Sequence, residues 1–485
     1  MSALQLTPTT IMNGAYLVNP AVRRITPATT AFIHCLILVA LLAVATFNVN
    51  AQEVSPKALD FAAAKNRLLD RSDALEAANA EVRSKEAQER STRTLRRPDI
   101  SADIQVIEYE KTLDLTLTTL GPIAEQFGFP NPIEFEQRDT VFRPIISATL
   151  PIYAGGKIRA TQSGAIAQVA GAEAEREEIL DQLLLNLIRN YYGQQFAAKA
   201  MTVRKDVLDG LERHKSDVEK LEVEGIASKA QKLQAYVARD DAARRYQTSV
   251  ANLASARAAL GGILRLPEGV KPSSPLFVIS TPLLPLEHYK SAAQYNHPSL
   301  KRIDALRNQA DAAVKIENSR RKPEVFGFGQ YNLNAQNALI SDPDWTIGVG
   351  FRYKFLSGQN RNESLRSAKE TRNRAAATRR ETEVQVDIGV TRAWYQANAA
   401  RERFLLQDNA IISAKESLRL QTLAHREQQA TSLDVIDAQL GLERAQIEQA
   451  QAAYEFIVAI AELARLSGDL KNFELLPAKA DRIIQ

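Results

Sequence analysis

Cysteine is almost absent: Cys35 is the only one in 485 residues. It lies inside an apolar run, residues 32–47, with too much apolar sequence after it to be a lipoprotein acylation site. A chain cleaved beyond that run would hold no thiol, which excludes a disulfide framework and any thiolate metal site. Histidine is scarce too; beyond the run, His214, His288, His297 and His425 are scattered without metal-ligand spacing. The net charge is only +4 and no basic block stands out, so nothing supports nucleic-acid binding. Gly155-Gly156-Lys157 lacks the rest of a phosphate loop, Gly348 and Gly350 lack a third glycine, and no nucleophile elbow occurs. Paired acids such as Glu177 and Glu178 read as a solvated helix face. No catalytic residue, cofactor site or metal site is expected, and the chain is read as not an enzyme. Long hydrophobic runs are missing as well. After residue 51 no stretch approaches eighteen uninterrupted apolar residues, so a membrane crossing there would have to be made of β-strands.

At the N-terminus, Arg23 and Arg24 provide a positive flank, the apolar run follows, and Val49-Asn50-Ala51 ends in small or short residues. This is the pattern of an export signal, with cleavage expected after Ala51. A membrane anchor is the other reading, for which about sixteen apolar residues are slightly short. The rest of the chain, with 45% apolar and 24% charged residues overall, is globular in composition.

Two proline-free tracts, 152–266 and 344–476, dominate the chain, and each reads as a pair of long helices. Ile179, Leu180, Leu183, Leu184, Leu187, Ile188, Tyr191 and Tyr192 recur at helical spacing in the first, and Leu433, Ile436, Leu440, Ile447, Tyr454, Ile457 and Leu463 in the second. A β signal precedes each tract. Trp345, Ile347, Val349, Phe351, Tyr353 and Phe355 alternate with Thr346, Gly348, Gly350, Arg352 and Lys354, predicting a strand of about eleven residues with a lipid-facing side. Residues 100–106 alternate in the same way, 142–152 more weakly and 325–331 poorly. Four strands in two separated hairpins are too few to close a barrel within one chain. They must oligomerise or pack as small soluble sheets.

The chain repeats itself. Arg96-Arg97-Pro98-Asp99 is similar to Arg320-Arg321-Lys322-Pro323-Glu324, Tyr153-Ala154-Gly155-Gly156-Lys157-Ile158-Arg159 to Phe355-Leu356-Ser357-Gly358-Gln359-Asn360-Arg361, and Arg189-Asn190-Tyr191-Tyr192 to Arg392-Ala393-Trp394-Tyr395. The reading divides the chain into a signal (1–51), a first repeat (52–267), a proline-rich joint (268–284), a second repeat (285–468) and a C-terminal tail (469–485). Each repeat holds a helix, a hairpin (about 98–153 and 324–355) and a long helix pair (158–266 and 360–467).

In this arrangement the chain resembles the TolC family of outer-membrane efflux and type I secretion channels, from about residue 57 to 470. The local matches are Leu150-Pro151-Ile152-Tyr153-Ala154-Gly155-Gly156-Lys157, Thr431-Ser432-Leu433-Asp434-Val435-Ile436-Asp437-Ala438-Gln439 and Glu462-Leu463-Ala464-Arg465-Leu466-Ser467-Gly468. The resemblance implies a mainly α fold with a small β part: a homotrimer whose helix pairs form an α-barrel and whose subunits each lend four strands to a shared twelve-stranded β-barrel. It implies an exit duct in the outer membrane, extending into the periplasm of a Gram-negative bacterium. The duct would contact outer-membrane lipid and work with a periplasmic adaptor (membrane fusion) protein and an inner-membrane ABC or RND transporter. The competing reading is a soluble periplasmic coiled-coil adaptor or structural protein without a pore.

Asp434 and Asp437, three apart on one helix face, are the gate candidates. The resemblance implies that such acids ring the narrow periplasmic mouth. A capping box from Thr431 to Asp434 is the plainer role, and the two are compatible. Gly225, Ser228, Thr431 and Ser432 are the helix-tip and adaptor-contact candidates. Gln428, Ala430 and His425 depart from the family pattern before Asp434, so the entrance is expected to have closing contacts of its own. Residues 108–141 read as a longer extracellular loop and 332–343 as a shorter one.

Overall fold

The computed structural model describes residues 57–334 and 343–484. The expected signal with Cys35, and most of the 332–343 loop, lie outside them. In chain order the described elements begin with β1 (Lys57–Leu59), α1 (Phe61–Arg71), α2 (Asp73–Arg93), β2 (Asp99–Leu115), α3 (Gly121–Gln126) and β3 (Ile133–Tyr153). There follow α4 (Lys157–Val223), α5 (Lys229–Ile263), β4 (Val270–Pro272), β5 (Leu276–Val278), α6 (Leu286–Asn296) and α7 (Pro298–Ser319). The last are β6 (Glu324–Asn332), β7 (Trp345–Arg352), α8 (Arg361–Arg426), α9 (Ser432–Ser467) and β8 (Arg482–Ile484). Helix dominates, as the helical spacing of apolar residues in the proline-free tracts predicts.

α4 and α8 run for 67 and 66 residues. At 1.5 Å per residue each is about 100 Å long. Side-chain caps set several helix starts: Asp60 accepts from Ala63 N, Ser72 from Leu75 N, and Asn360 from Asn362 N and Glu363 N. Gly468, at φ 77°, ends α9.

The four long strands form one antiparallel sheet in the order β2-β3-β6-β7. The two hairpins, expected to be separate, are joined by pairing of β3 with β6, from Ile145↔Asn332 to Tyr153↔Val325. Helices that continue these strands keep the same order, α2 beside α4 beside α7 beside α8. α2 runs into β2, β3 into α4, α7 into β6 and β7 into α8, so sheet and helices make one continuous layer. Farther along, α4 packs on α5 and α9, and α9 on α8.

Two strand expectations need correction. Residues 108–141 are not one loop: β2 and β3 stay paired as far as Leu115↔Ile133, and only residues 116–132, with α3 among them, connect the strands. The turn residues that made this stretch read as a loop, Gly121-Pro122 and Pro130-Asn131-Pro132, are confined to the connection between the two strands, and Arg138 reaches Glu108 at 3.3 Å as a diagonal cross-strand pair. The strand expected over 345–355 stops at Arg352, whose partner is Glu324. Beyond Glu324 stands Pro323, which has no N–H to continue the ladder, so Tyr353 and Phe355 lie past the end of the strand.

The main core surrounds the middle of α4. Tyr191 and Tyr192 are fully buried there and pack against Phe61, while Phe277 and Phe473 pack on Tyr192. Burial of an aromatic side chain of this kind contributes roughly 1.5–3 kcal/mol. The Tyr191 hydroxyl donates to Leu59 O (2.8 Å) and accepts from Ser274 N (2.9 Å), so the buried phenol keeps its partners. The joint and the tail are therefore part of the core: Phe277 comes from β5 and Phe473 from the C-terminal segment, and β8 pairs with β5.

Candidate functional sites: a one-sided sheet and two helix tips

Residues opposite one another in an antiparallel pair share a face, so the register sorts the sheet into two sides. One side holds Ile100, Ala102, Ile104 and Val106 of β2 and Phe142, Pro144, Ile146, Ala148 and Leu150 of β3. It continues through Val325, Gly327, Gly329 and Tyr331 of β6 to Phe351, Val349, Ile347 and Trp345 of β7. No charged residue interrupts it over these positions; past Val106 and Phe142, where only β2 and β3 remain, the same side carries Glu108, Glu110 and Arg138. It is also uncovered: Ile347 is 76% exposed, Phe351 71% and Val349 70%. Such a continuous apolar surface on a soluble face would be an aggregation liability. Of the predicted lipid-facing residues, Trp345, Ile347, Val349 and Phe351 lie on this side within the strand. Tyr353 and Phe355, their rings edge to face at 4.9 Å, lie just past it.

The other side is mostly polar, with Asp99, Ser101, Asp103, Gln105, Arg143, Ser147, Thr149, Gln330 and Arg352. Two aromatic rings interrupt it, Phe326 and Phe328, lying across Gly350 and Gly348 of the next strand. A Cβ at Gly350 would come within 2.6 Å of the Phe326 ring, and one at Gly348 within 2.8 Å of Phe328. The glycines are the floor on which the rings lie. The Arg352 guanidinium stacks over Phe326 at 4.8 Å.

The sheet has two unpaired edges, β2 and β7. Exposed edges of this length attract further strands unless they are covered or the sheet closes.

At the far end of the helices stand two tips. In the first, Gly225 (φ 72°) follows α4, and Ser228 caps α5 in a capping box with Gln231. In the second, Thr431 caps α9. Thr431 N and Oγ1 bond Asp434 Oδ2 at 2.7 and 2.6 Å, and Asp434 N reaches Thr431 Oγ1 at 3.3 Å. These bonds, from the Thr431 side chain and then its backbone, hold the Asp434 carboxyl below its ordinary pKa, with nearby His425 adding to the effect. Asp437 is exposed on the same helix and takes no part in the box.

Ser432 departs from its expected role. It is fully buried, and its Oγ meets His214 Nε2 of α4 at 2.7 Å, so it is an internal contact and not a docking surface. The His425 ring, at the end of α8, packs edge to face on His214 at 5.1 Å. Burial first, and then repulsion from His425, push the His214 pKa down to about 4. Two histidines that read as scattered thus form one cluster joining three helices. Sequence spacing carried no sign of it, because the partners are more than two hundred residues apart. Nearby, buried Glu443 of α9 faces Arg204 of α4 and Arg245 of α5, each at 3.7 Å. Among the described residues no group of histidine, cysteine and carboxylate side chains is arranged to hold a metal, and no helix is long and apolar enough to cross a membrane.

Comparison with known proteins agrees with this architecture. Residues 290–469 match the family described as outer membrane efflux protein. The outer membrane efflux protein BepC of Brucella suis biovar 1 (strain 1330) is 25% identical over 213 residues, 43% of this chain and 46% of BepC; the chain spans about half the length of that relative. Among solved structures, the outer membrane protein VceC of Vibrio cholerae superposes with a TM-score of 0.67 at 16% identity, over 84% of this chain and 95% of VceC. The CmeC outer membrane channel of Campylobacter jejuni gives 0.67 at 13% identity, over 86% of this chain and 89% of CmeC. At such identities the likeness is one of fold. The likeness to the outer membrane efflux proteins thus rests on a family match over residues 290–469 and on a shared fold along more than four fifths of the chain.

Proposed function

We propose that three copies of this chain form an exit duct of the outer membrane that passively conducts cargo delivered from an inner-membrane transporter. The observation that carries the reading is the sheet: where its four strands run together one side is apolar and uncovered and the other mostly polar, and both edges are unpaired. Twelve strands from three such sheets close a barrel with the apolar side to lipid, which removes every edge. Because helix order follows strand order, the wall continues into an α-barrel across the periplasm. Helices of about 100 Å are suited to that span.

An internal duplication accounts for the layout. Tyr191 donates to Leu59 O and Trp394 Nε1 donates to Leu284 O (2.9 Å), so the matching aromatic pairs each tie a long helix to the chain just before the first helix of its own half. The energy for transport would come from its partners: an inner-membrane pump of the ABC or RND class and a periplasmic adaptor docking near the tips, where Gly225, Ser228 and Thr431 are exposed. Asp437, and Asp434 beside it, would each be repeated three times around the periplasmic mouth and favour cations.

The test is to express the exported protein, fractionate the membranes and record from purified material in planar bilayers. An outer-membrane trimer with small, cation-preferring conductance is expected. A soluble periplasmic monomer without conductance would overturn the barrel and leave a coiled-coil adaptor.

A further inference from the structure

Where β3 turns into α4 and α7 turns toward β6, a cleft of about 710 Å³ opens beneath the sheet. Arg159 and the Gly155-Gly156 turn line one wall, and Lys315, Arg321 and Lys322 line the other. No carboxylate lines it. None of the four cationic side chains forms a hydrogen bond or ion pair among the described residues. Other cations of the same helix layer are matched: Lys301 with Glu177, Arg302 with Glu178, Arg320 with Glu317 and Arg379 with Asp304. Four unmatched charges around one cleft repel one another, and a bound anion would relieve that repulsion.

The backbone adds to the positive field. Gly155 has φ 60°, and a Cβ there would lie 2.8 Å from Ser319 O, so only glycine lets this turn approach the end of α7. Gly156, the N-cap of α4, provides no side-chain acceptor for the first N–H groups of a 67-residue helix.

Position identifies the anion. Arg159 and Glu177 are about five turns apart on α4 and share a face. Glu177 binds Lys471 of the C-terminal segment, so the cleft opens on the side that carries the folded joint and tail. A pore wall cannot hold that mass on its lumen side, so this side looks outward. The exposed apolar residues Ile152 and Tyr153 immediately precede the turn, at the foot of the apolar strands. The cleft also lies between the two inner helices of the layer, α4 and α7, away from both edges where other copies would join.

We infer that this cleft binds the phosphodiester of an anionic phospholipid from the periplasmic leaflet of the outer membrane. The inference rests on the channel reading. Lys322, exposed beside Gly155, and Arg159, across the turn, contact the phosphate, with Arg321 and Lys315 at the rim.

The experiment is native mass spectrometry of the full-length protein released in mild detergent, with phosphatidylglycerol or phosphatidylcholine added. Phosphatidylglycerol should remain bound, up to three per trimer, and phosphatidylcholine should not. Arg159→Gln, Arg321→Gln and Lys322→Gln combined should lower retention about tenfold or more while conductance in planar bilayers is unchanged. Equal retention by the triple variant, or equal retention of the two lipids by the wild type, overturns the site. Displacement by millimolar inorganic phosphate with the same thermal shift as lipid reassigns the cleft to a free anion and overturns the lipid assignment. A conducting trimer without lipid preference sinks the cleft alone, whereas a wild type that neither trimerises nor conducts sinks the channel reading and this inference with it.

Discussion

His214 and Ser432 belong to different long tracts, 218 residues apart in the chain, yet His214 Nε2 and Ser432 Oγ are 2.7 Å apart and buried where α4 meets the start of α9. Replacing the hydroxyl leaves a buried ring nitrogen without a partner, at a cost of roughly 1–3 kcal/mol. Ser432→Ala should therefore loosen the second tip, seen as faster backbone hydrogen exchange over residues 425–435. Unchanged exchange would mean that packing alone holds the tip.

Acid should loosen the same place. The His214 pKa is lowered from 6.5 to about 4, so the unfolded chain binds a proton first. The stability that the neutral ring contributes is intact above about pH 6.5 and is lost as pH falls from there through about 4. Asp181, raised to about 6 by burial, acts in the opposite sense, because its burial is costly only when it is ionised. Global melting would mix the two, so the readout is local exchange at the tip, corrected for intrinsic rates. It should be faster at pH 5 than at pH 7, and His214→Gln should flatten the difference. A difference that survives in the variant would assign the acid response to another group.

The rings of Phe326 and Phe328 leave no room for a side chain at Gly350 or Gly348. Gly350→Ala should cost about 1–3 kcal/mol through displacement of the ring. Heat-induced dissociation of the proposed trimer would measure this, and Phe326→Ala in the same chain should restore part of the loss. Additive losses in the double variant would show that ring and glycine do not compete for space.

A charge at the middle of the apolar side should be costly only if that side meets lipid. Ile347→Lys is expected to destabilise the inserted state by about 2–4 kcal/mol at the bilayer midplane and to shift protein from the outer-membrane to the soluble fraction. Thr346→Lys, on the opposite side, should not. Equal behaviour of the two would argue against a lipid-facing surface.

The two aspartates of the second tip should behave differently. Asp434 is occupied by Thr431, whereas Asp437 is exposed outside the capping box and in the proposed channel would act on passing ions. Asp437→Asn should reduce cation preference in bilayer recordings, and Asp434→Asn should chiefly increase hydrogen exchange at the start of α9. Selectivity unchanged by both substitutions together would remove the acidic ring from the mechanism.

Much of this was readable from local pattern, because local pattern is what secondary structure obeys. Alternation at Trp345, Ile347, Val349 and Phe351 specifies a strand with one apolar side, the absence of proline permits helices of nearly seventy residues, and Thr431 with Asp434 spells out a cap. The sequence could not show which strands meet. Pairing of β3 with β6 makes two hairpins into one sheet through residues nearly two hundred positions apart, such as Ile145 and Asn332. Turn residues such as Gly121-Pro122 and Pro130-Asn131-Pro132 made 108–141 look like one loop, although the strands on either side stay paired as far as Leu115 and Ile133. His214, His425 and Ser432, like the four unmatched cations beneath the sheet, become a group only when helices from both halves are packed side by side. Periodicity is a property of neighbours in the chain, and it determined the elements; burial, closure and charge matching are properties of neighbours in space, and only the tertiary structure decided those.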